Sequence, residues 1–351
     1  MTDQRLRVWV DLENSPHVLF FEPIIRRLRE EGHEVTVTAR DFCNTIALAR
    51  SRGVECSPIG RGYDKGRKMA LKVAYNLGRV GQLWAFAFGK RFDVAASHCS
   101  RTQALAAWLH RIPIFSSTDY EYNDLKVFRF AARFIVPDAI SAEAFEKAGV
   151  RPGAIRFYHG LKEEVYLRGF QPRTDVRAAL GIPPEGLVAV VRPIADQAHY
   201  GNPEGDAVQA ELFRRILAQE GVWLVVLPRT RTQWERYREQ AKQHPNLILP
   251  EDVVDGPSLL ATADLALSGG GTMVREAVAL DIPAVSYFEG AIGQLDQALV
   301  DQGRLTLVQR IEEIDRILPV TKRAAATRIR PSEAAAPLDE VIACLYEAAR
   351  H

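Results

Sequence analysis

The sequence is poor in cysteine and almost neutral in charge, and both features narrow the class of protein. Four cysteines occur among 351 residues, and no two of them form a Cys-x-x-Cys pair. This usage is typical of a reducing compartment and argues against a disulfide scaffold or a zinc cage. The formal net charge of +1 argues against wholesale binding to nucleic acid. The most apolar helical run, residues 83–88, is far too short to cross a bilayer.

The beginning of the chain has no charged segment followed by an apolar stretch, so the sequence predicts no signal peptide and a cytoplasmic location. No low-complexity tract or short repeat is visible. A hydrophobic fraction of 47% is that of a soluble globular protein. The length exceeds one ordinary core and predicts two domains of about 150–180 residues each.

Short apolar runs alternate with helical patterns along nearly the whole chain, which predicts parallel sheets with helices on both faces. We expect an α/β fold of two Rossmann-like domains facing a cleft at the carboxyl ends of their strands. The N-terminal domain spans residues 1–165 and receives a C-terminal helix, 337–351. The second domain spans 166–336. The proline-containing stretch 161–184 is the expected linker and hinge.

A glycine-rich turn between a predicted strand at 264–267 and a helix near 272–281 is the most informative segment. Glycine lets a ligand approach bare backbone, and a helix start offers unpaired N–H groups to a phosphate. A carboxylate one turn later, Glu276, can accept hydrogen bonds from ribose hydroxyls. The segment predicts a nucleotide site, and the alternative is a tight turn without a ligand. The predicted site residues are Ser268, Gly269, Gly270, Gly271, Thr272 and Glu276.

Arginines follow two predicted strands of the same domain. Arg192 comes after the run 187–191, and Arg229 comes after the run 222–227. A guanidinium grips phosphate oxygens bidentately, so both are candidates for a diphosphate. The alternative is surface charge paired with acids. His98 and His199 have no second ligand at metal spacing, and we predict no metal.

Two loops of the first domain carry titratable groups after predicted strands. The loop 11–17 contains Asp11 and His17, and a histidine there can act as a base on a hydroxyl. The loop 118–124 contains Asp119 and Glu121 between tyrosines. Without a ligand, the first loop would be a capped helix start and the second a solvated turn.

The segment 61–91 carries eight basic residues and one acid, interleaved with apolar residues. A basic amphipathic helix can lie on an anionic membrane surface. The alternative is a helix packed on the sheet with a solvated basic side. The first interpretation predicts a peripheral contact with the inner membrane face and a lipid-linked acceptor.

The order of elements and these motifs resemble the two-domain glycosyltransferase-B (GT-B) superfamily. Within it, the chain resembles the lipid-linked peptidoglycan N-acetylglucosaminyltransferase and the non-hydrolysing UDP-N-acetylglucosamine 2-epimerases. It looks more closely like a bacterial and archaeal family with the pattern Asp-x-x-Asn-x-Pro-His, here residues 11–17. The segment 268–276 matches the nucleotide-sugar motif of the superfamily, in which the acid holds ribose.

The resemblance implies further contacts. Gln294 and Asp296 stand where such enzymes contact the donor sugar or diphosphate, and Glu121 stands in a segment similar to the transferase's His-Glu-Gln-Asn. The chain also departs from the pattern. Where the epimerases carry Gly-Asp, this sequence reads Ser-His-Cys-Ser at 97–100. The Gly-Gly-Ser phosphate loop of the transferase is absent around 190–196.

These observations predict a metal-independent enzyme of cell-envelope polysaccharide synthesis. It would transfer a sugar from a UDP-sugar, used as substrate and without a further cofactor, to a sugar or lipid-linked acceptor. His17 or Glu121 would act as base, with Asp11 orienting and Asp119 nearby. The alternatives are a UDP-N-acetylglucosamine 2-epimerase and a non-catalytic protein that binds sugar nucleotides.

Overall fold

The protein consists of two compact α/β units. A computed structural model describes residues 5–42, 44–62, 69–194, 203–251, 254–288, 290–323 and 337–351. Unit 1 comprises Met1–Tyr166 together with Ser332–His351, and unit 2 comprises Leu167–Pro331. The second unit is inserted before the last helix of the first.

Unit 1 is built on a seven-stranded parallel sheet in the order β3-β2-β1-β4-β5-β6-β7. Its central strands are buried along almost their whole length because helices cover both faces. The strands are β1 (Arg7–Leu12), β2 (Glu34–Asp41), β3 (Ser57–Arg61), β4 (Val94–His98), β5 (Ile114–Ser117), β6 (Arg133–Pro137) and β7 (Ile155–Tyr158).

The helices of unit 1 form two layers. Helices α1 (Ser15–Glu30), α2 (Thr45–Ser51) and the C-terminal α13 (Pro337–Ala349) cover one face, where α1 contacts both of the others. Helices α3 (Met69–Ala87) and α4 (Arg101–Leu109) pack together on the other face, as right-handed crossovers require. Shorter helices are α5 (Ala142–Lys147) and α6 (Glu164–Leu167).

Helix α13 belongs to the core of unit 1. It contacts β5, β6 and β7, and it buries Val341 and Leu345. His33 and the Tyr346 hydroxyl lie 3.0 Å apart across its contact with the α1–β2 turn. The last residues of the chain therefore complete the domain formed by the first ones.

Unit 2 repeats the architecture with six parallel strands in the order β10-β9-β8-β11-β12-β13. The strands are β8 (Leu187–Arg192), β9 (Val222–Val226), β10 (Leu247–Ile248), β11 (Leu265–Ser268), β12 (Ala284–Ser286) and β13 (Thr306–Leu307). The helices are α7 (Val176–Ala179), α8 (Pro203–Leu217), α9 (Arg231–Ala241), α10 (Gly256–Ala261), α11 (Gly271–Ala279) and α12 (Gln294–Asp301).

The predicted pair of parallel-sheet α/β units is confirmed. Three edge strands were not predicted from the sequence, each for a local reason. Strand β3 contains Pro58 and Gly60, which disfavour a strand but are tolerated at an edge. Strands β7 and β13 have four and two residues. Among the described residues, none of the helices combines the length and apolar character needed to cross a membrane.

Candidate functional site

The carboxyl ends of three strands of unit 2 converge on the start of α11. A Cβ at Gly269 would lie 3.0 Å from the Ile194 Cα, just past β8, so only glycine permits this approach. A Cβ at Gly270 would lie 3.0 Å from the Arg229 guanidinium, beyond β9. The predicted glycine turn therefore packs against the ends of β8 and β9, and Arg229 covers its backbone.

Arg229 sits in an electrostatic setting that suits an anion. Partial burial, followed by repulsion from Arg192, lowers the pKa of Arg229 to about 10. The residue is nevertheless exposed on one side. Among the described residues, no carboxylate forms an ion pair with its guanidinium. A guanidinium without a described carboxylate partner, close to a second arginine, suits a bound phosphate.

The start of α11 adds backbone donors to this charge. Gly270 is the N-cap residue, and the first N–H groups of a helix have no partner within the helix. The Ser268 hydroxyl bonds to both the N–H (3.1 Å) and the carbonyl (2.7 Å) of Gly270 and holds the turn. The N–H groups at Gly271 and Thr272 and the positive end of the helix dipole therefore follow directly on Gly270, next to which Arg229 lies.

The remaining predicted residues of unit 2 lie next to this turn or are held by another partner. Glu276 is on α11 and mostly buried. Gln294 begins α12. Asp296 forms an ion pair of 2.9 Å with Arg275, and Arg275 in turn lies against Gly271. Asp296 therefore positions an arginine at the start of α11, a role that its position in the sequence did not reveal.

In unit 1, Asp11 occupies a buried network. Its carboxylate receives both arms of Arg79, at 2.8 and 3.0 Å. It also accepts hydrogen bonds from Thr38 (2.7 Å) and Ser100 (2.6 Å). Both oxygens thus have partners other than His17, and an orienting role of Asp11 beside that histidine stays a prediction. The aspartate ties α3 to the carboxyl end of β1.

His17 lies in the first turn of α1, and two features of its surroundings bear on its predicted role as a base. Its Nδ1 accepts the N–H of Glu13 at 3.3 Å, which leaves the proton of the neutral ring on Nε2. Burial, followed by repulsion from His98 and Lys162, lowers the pKa of His17 well below its ordinary value. A neutral ring with a proton on Nε2 can donate a hydrogen bond. His17 is therefore better suited to donate to a substrate oxygen than to accept a proton as a base.

A chain of titratable side chains starts next to His17. The His17 and His98 rings lie 4.8 Å apart. His98 Nε2 is 3.6 Å from one Asp119 oxygen, and Lys162 Nζ is 2.6 Å from the other. Lys162 also lies 3.6 Å from Glu163. These groups follow β1, β4, β5 and β7 and are nearly buried. The structure therefore brings together residues from four strand ends at one edge.

His98 was considered only as a metal ligand and residues 161–184 were expected to form a linker, so His98, Lys162 and Glu163 were not among the predicted site residues. The adjacent Lys162 and Glu163 were the available signal, but β7 before them was not recognised. Asp119 was predicted and lies within the cluster. Glu121 is mostly buried beyond β5, in a turn that Asn123 closes by donating to Thr118 at 3.0 Å.

The basic segment 61–91 differs from its predicted form. Arg79, counted there among solvated charges, has a side chain only 1% exposed and points into the sheet edge. Residues 63–68 lie outside the described residues. The outer side of α3 is mainly apolar, with Leu77 and Phe88 the most exposed large apolar side chains of the segment.

Comparison with known proteins identifies the family of the chain. The family described as "Protein of unknown function (DUF354)" matches residues 6–349. The chain belongs to this family. A relative in Methanocaldococcus jannaschii, itself named only as an uncharacterized protein, is 28% identical over 317 residues, covering 88% of this chain and 89% of the relative.

Solved structures establish the fold. A UDP-N-acetylglucosamine 2-epimerase from Rickettsia bellii superposes with a TM-score of 0.74 at 14% identity, covering 99% and 98% of the two chains. Anabaena HepE, solved with UDP-glucose, gives 0.62 at 16% identity and 99% coverage of both. The glycotransferase of kitacinnamycin gives 0.61 at 16% identity, covering 98% and 95%. This member of the DUF354 family thus has the GT-B fold that is shared by epimerases and sugar transferases.

Proposed function

We propose that this DUF354 protein is a glycosyltransferase that moves a sugar from a UDP-sugar to an acceptor hydroxyl. The observation that carries the proposal is Arg229, which lies over the Gly270 backbone without an acidic partner among the described residues. The proteins of similar fold whose names include UDP-sugars support the choice of ligand. No metal or further cofactor is part of the proposal.

In unit 2, Arg229 and Arg192 would neutralise the diphosphate, and the N–H groups at the start of α11 would bind its oxygens. Glu276 would hold the ribose hydroxyls. Because the leaving diphosphate gains negative charge as its bond to the sugar breaks, these positive groups would stabilise the transition state more than the bound donor.

In unit 1, we propose that His98 is the base and that Asp119 orients it. Lys162 Nζ lies 2.6 Å from the other Asp119 oxygen and fixes that carboxylate in place. In the reaction, the acceptor oxygen bonds to the anomeric carbon and its proton passes to His98. The bond from that carbon to the phosphate oxygen breaks, and its electron pair leaves with UDP. His17 would donate its Nε2 proton to a substrate oxygen.

Replacing Arg229 tests the donor site. The Arg229→Gln substitution is expected to weaken UDP binding about 10- to 100-fold, since it removes a charge-assisted contact to phosphate. Isothermal titration calorimetry with UDP measures the effect.

Arg231 provides a matched control only two residues away. Its side chain is 92% exposed and pairs with Glu235 along α9. The Arg231→Gln variant should bind UDP as the wild type does. Equal affinities for Arg229→Gln and the wild type would remove the anion site on which the proposal depends.

The role of Glu276 has its own test. The Glu276→Ala variant is expected to lose roughly tenfold or more in affinity for UDP, because a carboxylate hydrogen bond to the ribose is lost. Toward 2′,3′-dideoxy-UDP, which lacks both ribose hydroxyls, the variant and the wild type should bind alike. If Glu276→Ala weakens both ligands equally, the residue supports the helix and does not contact ribose.

Epimerisation of the same kind of donor is the second candidate, because the Rickettsia epimerase superposes better than the transferase does. The two reactions differ in the bond that breaks. An epimerase exchanges the C2 proton of UDP-N-acetylglucosamine with solvent and needs no acceptor. Deuterium at C2 after incubation in heavy water without an acceptor would therefore identify the protein as an epimerase and contradict the proposed transfer. UDP-sugar binding without exchange, hydrolysis or transfer to any tested acceptor would identify a binding protein.

A further inference from the structure

Helix α3 turns a row of large apolar side chains toward solvent. Val73 is 50%, Leu77 63% and Trp84 40% exposed, and Phe88 just beyond the helix is 68% exposed. At 3.6 residues per turn, their spacing places all four within about 60° around the helix. A water-facing helix normally shows polar residues there.

The apolar row continues onto the neighbouring elements. Helix α4 packs against α3 and exposes Trp108 and Leu109 near its end. The Trp108 ring stacks on exposed Phe130 at 4.8 Å, and the Trp84 ring stacks on His110 at 5.4 Å. We call this surface the aromatic face, and it consists of Val73, Leu77, Trp84, Phe88, Trp108, Leu109 and Phe130.

The opposite helix layer of the same unit shows that this exposure is not general. Within the described residues, α1, α2 and α13 expose no large apolar side chain. The outer positions of α1 are charged, with Arg26, Arg29 and Glu30 all exposed. The two layers cover the same sheet, so the difference between them indicates that the aromatic face meets a partner.

The orientation of α3 is fixed from the inside. Arg79 lies about 150° around the helix from the centre of the apolar row. Its bidentate pair with Asp11 and its bond to the Ile59 carbonyl (3.0 Å) hold it at the sheet edge. The apolar row therefore cannot rotate inward without breaking a buried ion pair.

The charges around the aromatic face identify the partner. Residues 65–92 contain no aspartate or glutamate. Lys90 and Arg91 follow Phe88, whereas Lys126 and Arg129 precede Phe130 and line a cavity with it, together with Arg151 and Glu146. Both Lys–Arg pairs are exposed, and none of these four side chains forms an ion pair within the part of the chain that the structure describes. Aromatic and leucine side chains bordered by cations are the composition of surfaces that rest on anionic bilayers.

We propose that the aromatic face docks on an anionic lipid bilayer. Leu77, Trp84 and Phe88 would enter the boundary between headgroups and acyl chains, and the flanking cations would contact the headgroups. A second copy of the chain fits less well, because the basic rims of two aromatic faces would repel each other. The inference does not depend on the proposed reaction, and together with it makes a lipid-linked acceptor the expected substrate.

Vesicle sedimentation tests the proposal. The full chain should bind vesicles of phosphatidylcholine mixed with phosphatidylglycerol and bind pure phosphatidylcholine much less. The Leu77→Gln/Phe88→Gln variant should bind the anionic vesicles about tenfold or more weakly, because two apolar side chains no longer enter the bilayer. The Lys126→Gln/Arg129→Gln variant should lose most of the preference for anionic vesicles.

Two exposed apolar residues elsewhere give a matched control. Phe157 is 43% and Ile311 38% exposed, and neither lies on the aromatic face. The Phe157→Gln/Ile311→Gln variant should bind vesicles like the wild type. Urea unfolding should give equal stabilities for this variant and for Leu77→Gln/Phe88→Gln, since all four apolar side chains are exposed.

Three results would overturn the proposal. One is a wild type that does not bind anionic vesicles. Another is equal vesicle binding by the Leu77→Gln/Phe88→Gln and Phe157→Gln/Ile311→Gln variants. The third is a wild type that forms a dimer and does not bind vesicles, and that becomes monomeric in the Leu77→Gln/Phe88→Gln variant. This result would assign the aromatic face to a contact with a second copy of the chain. No nucleotide sugar is present in these measurements. Failure of the proposed sugar transfer therefore leaves their outcome unchanged, and failure to bind vesicles leaves the UDP titrations unchanged.

Discussion

The His98→Asn variant is expected to release UDP from a UDP-sugar and acceptor at least about 100-fold more slowly than the wild type, while binding UDP with unchanged affinity. Removing a general base costs about 10²–10⁴ in rate. UDP affinity should not change because His98 belongs to unit 1 and the proposed donor groups belong to unit 2. The measurement is UDP release with a panel of free and lipid-linked glycans.

The pH profile separates catalysis from support of the fold. A histidine base must be neutral, so wild-type kcat/KM should fall on the acid side of the profile, and His98→Asn should lose that fall. His17→Asn is the control, since His17 is proposed as a hydrogen-bond donor. If His17→Asn abolishes the acid limb and His98→Asn retains it, the assignments of the two histidines must be exchanged.

Replacing Arg79 is expected to have the largest effect on stability. The Arg79→Met variant keeps much of the side-chain volume but leaves the buried Asp11 carboxylate without its cation. Breaking a buried ion pair in this way costs about 3–5 kcal/mol. Hydrogen exchange of amides in β1 and α3 measures the loss of stability within unit 1. A global unfolding curve would combine the contributions of the two units.

A neighbouring surface pair provides the control for Arg79. Arg101 and Asp124 are 2.8 Å apart, but their side chains are 49% and 59% exposed. An exposed pair contributes about 0–1 kcal/mol, so Arg101→Met should alter protection little. The Asp11→Asn/Arg79→Met double variant should recover part of the lost stability. A loss for Arg79→Met no larger than that for Arg101→Met would show that the buried pair does not hold α3.

The residues of unit 2 that we propose for the donor could be selected from the sequence because many of them are close together along the chain. The segment 268–276 carries a strand end, a glycine turn and a helix start in consecutive positions. Arg192 and Arg229 were recognisable because each follows an apolar run. What the segment could not reveal is that Gly270 lies beneath Arg229 and that Asp296 is held by Arg275.

The residues of unit 1 that we propose for the acceptor could be selected only in part, because they come from segments that are far apart along the chain. Asp11 and Arg79 are separated by 68 residues, and Asp119 meets a lysine that follows an unrecognised four-residue strand. Loops 11–17 and 118–124 could therefore be selected as polar strand ends, but the partners of each carboxylate could not.

The alternation of apolar runs and helical patterns is a local property, so the class of fold and its division into two α/β units could be inferred from the order of residues. The role of an ionisable side chain depends on what surrounds it after folding. Asp11 pairs with buried Arg79, His17 Nδ1 accepts a backbone N–H, and the outside of α3 is an apolar surface. These outcomes follow from burial and from contacts between distant segments, which no local pattern encodes.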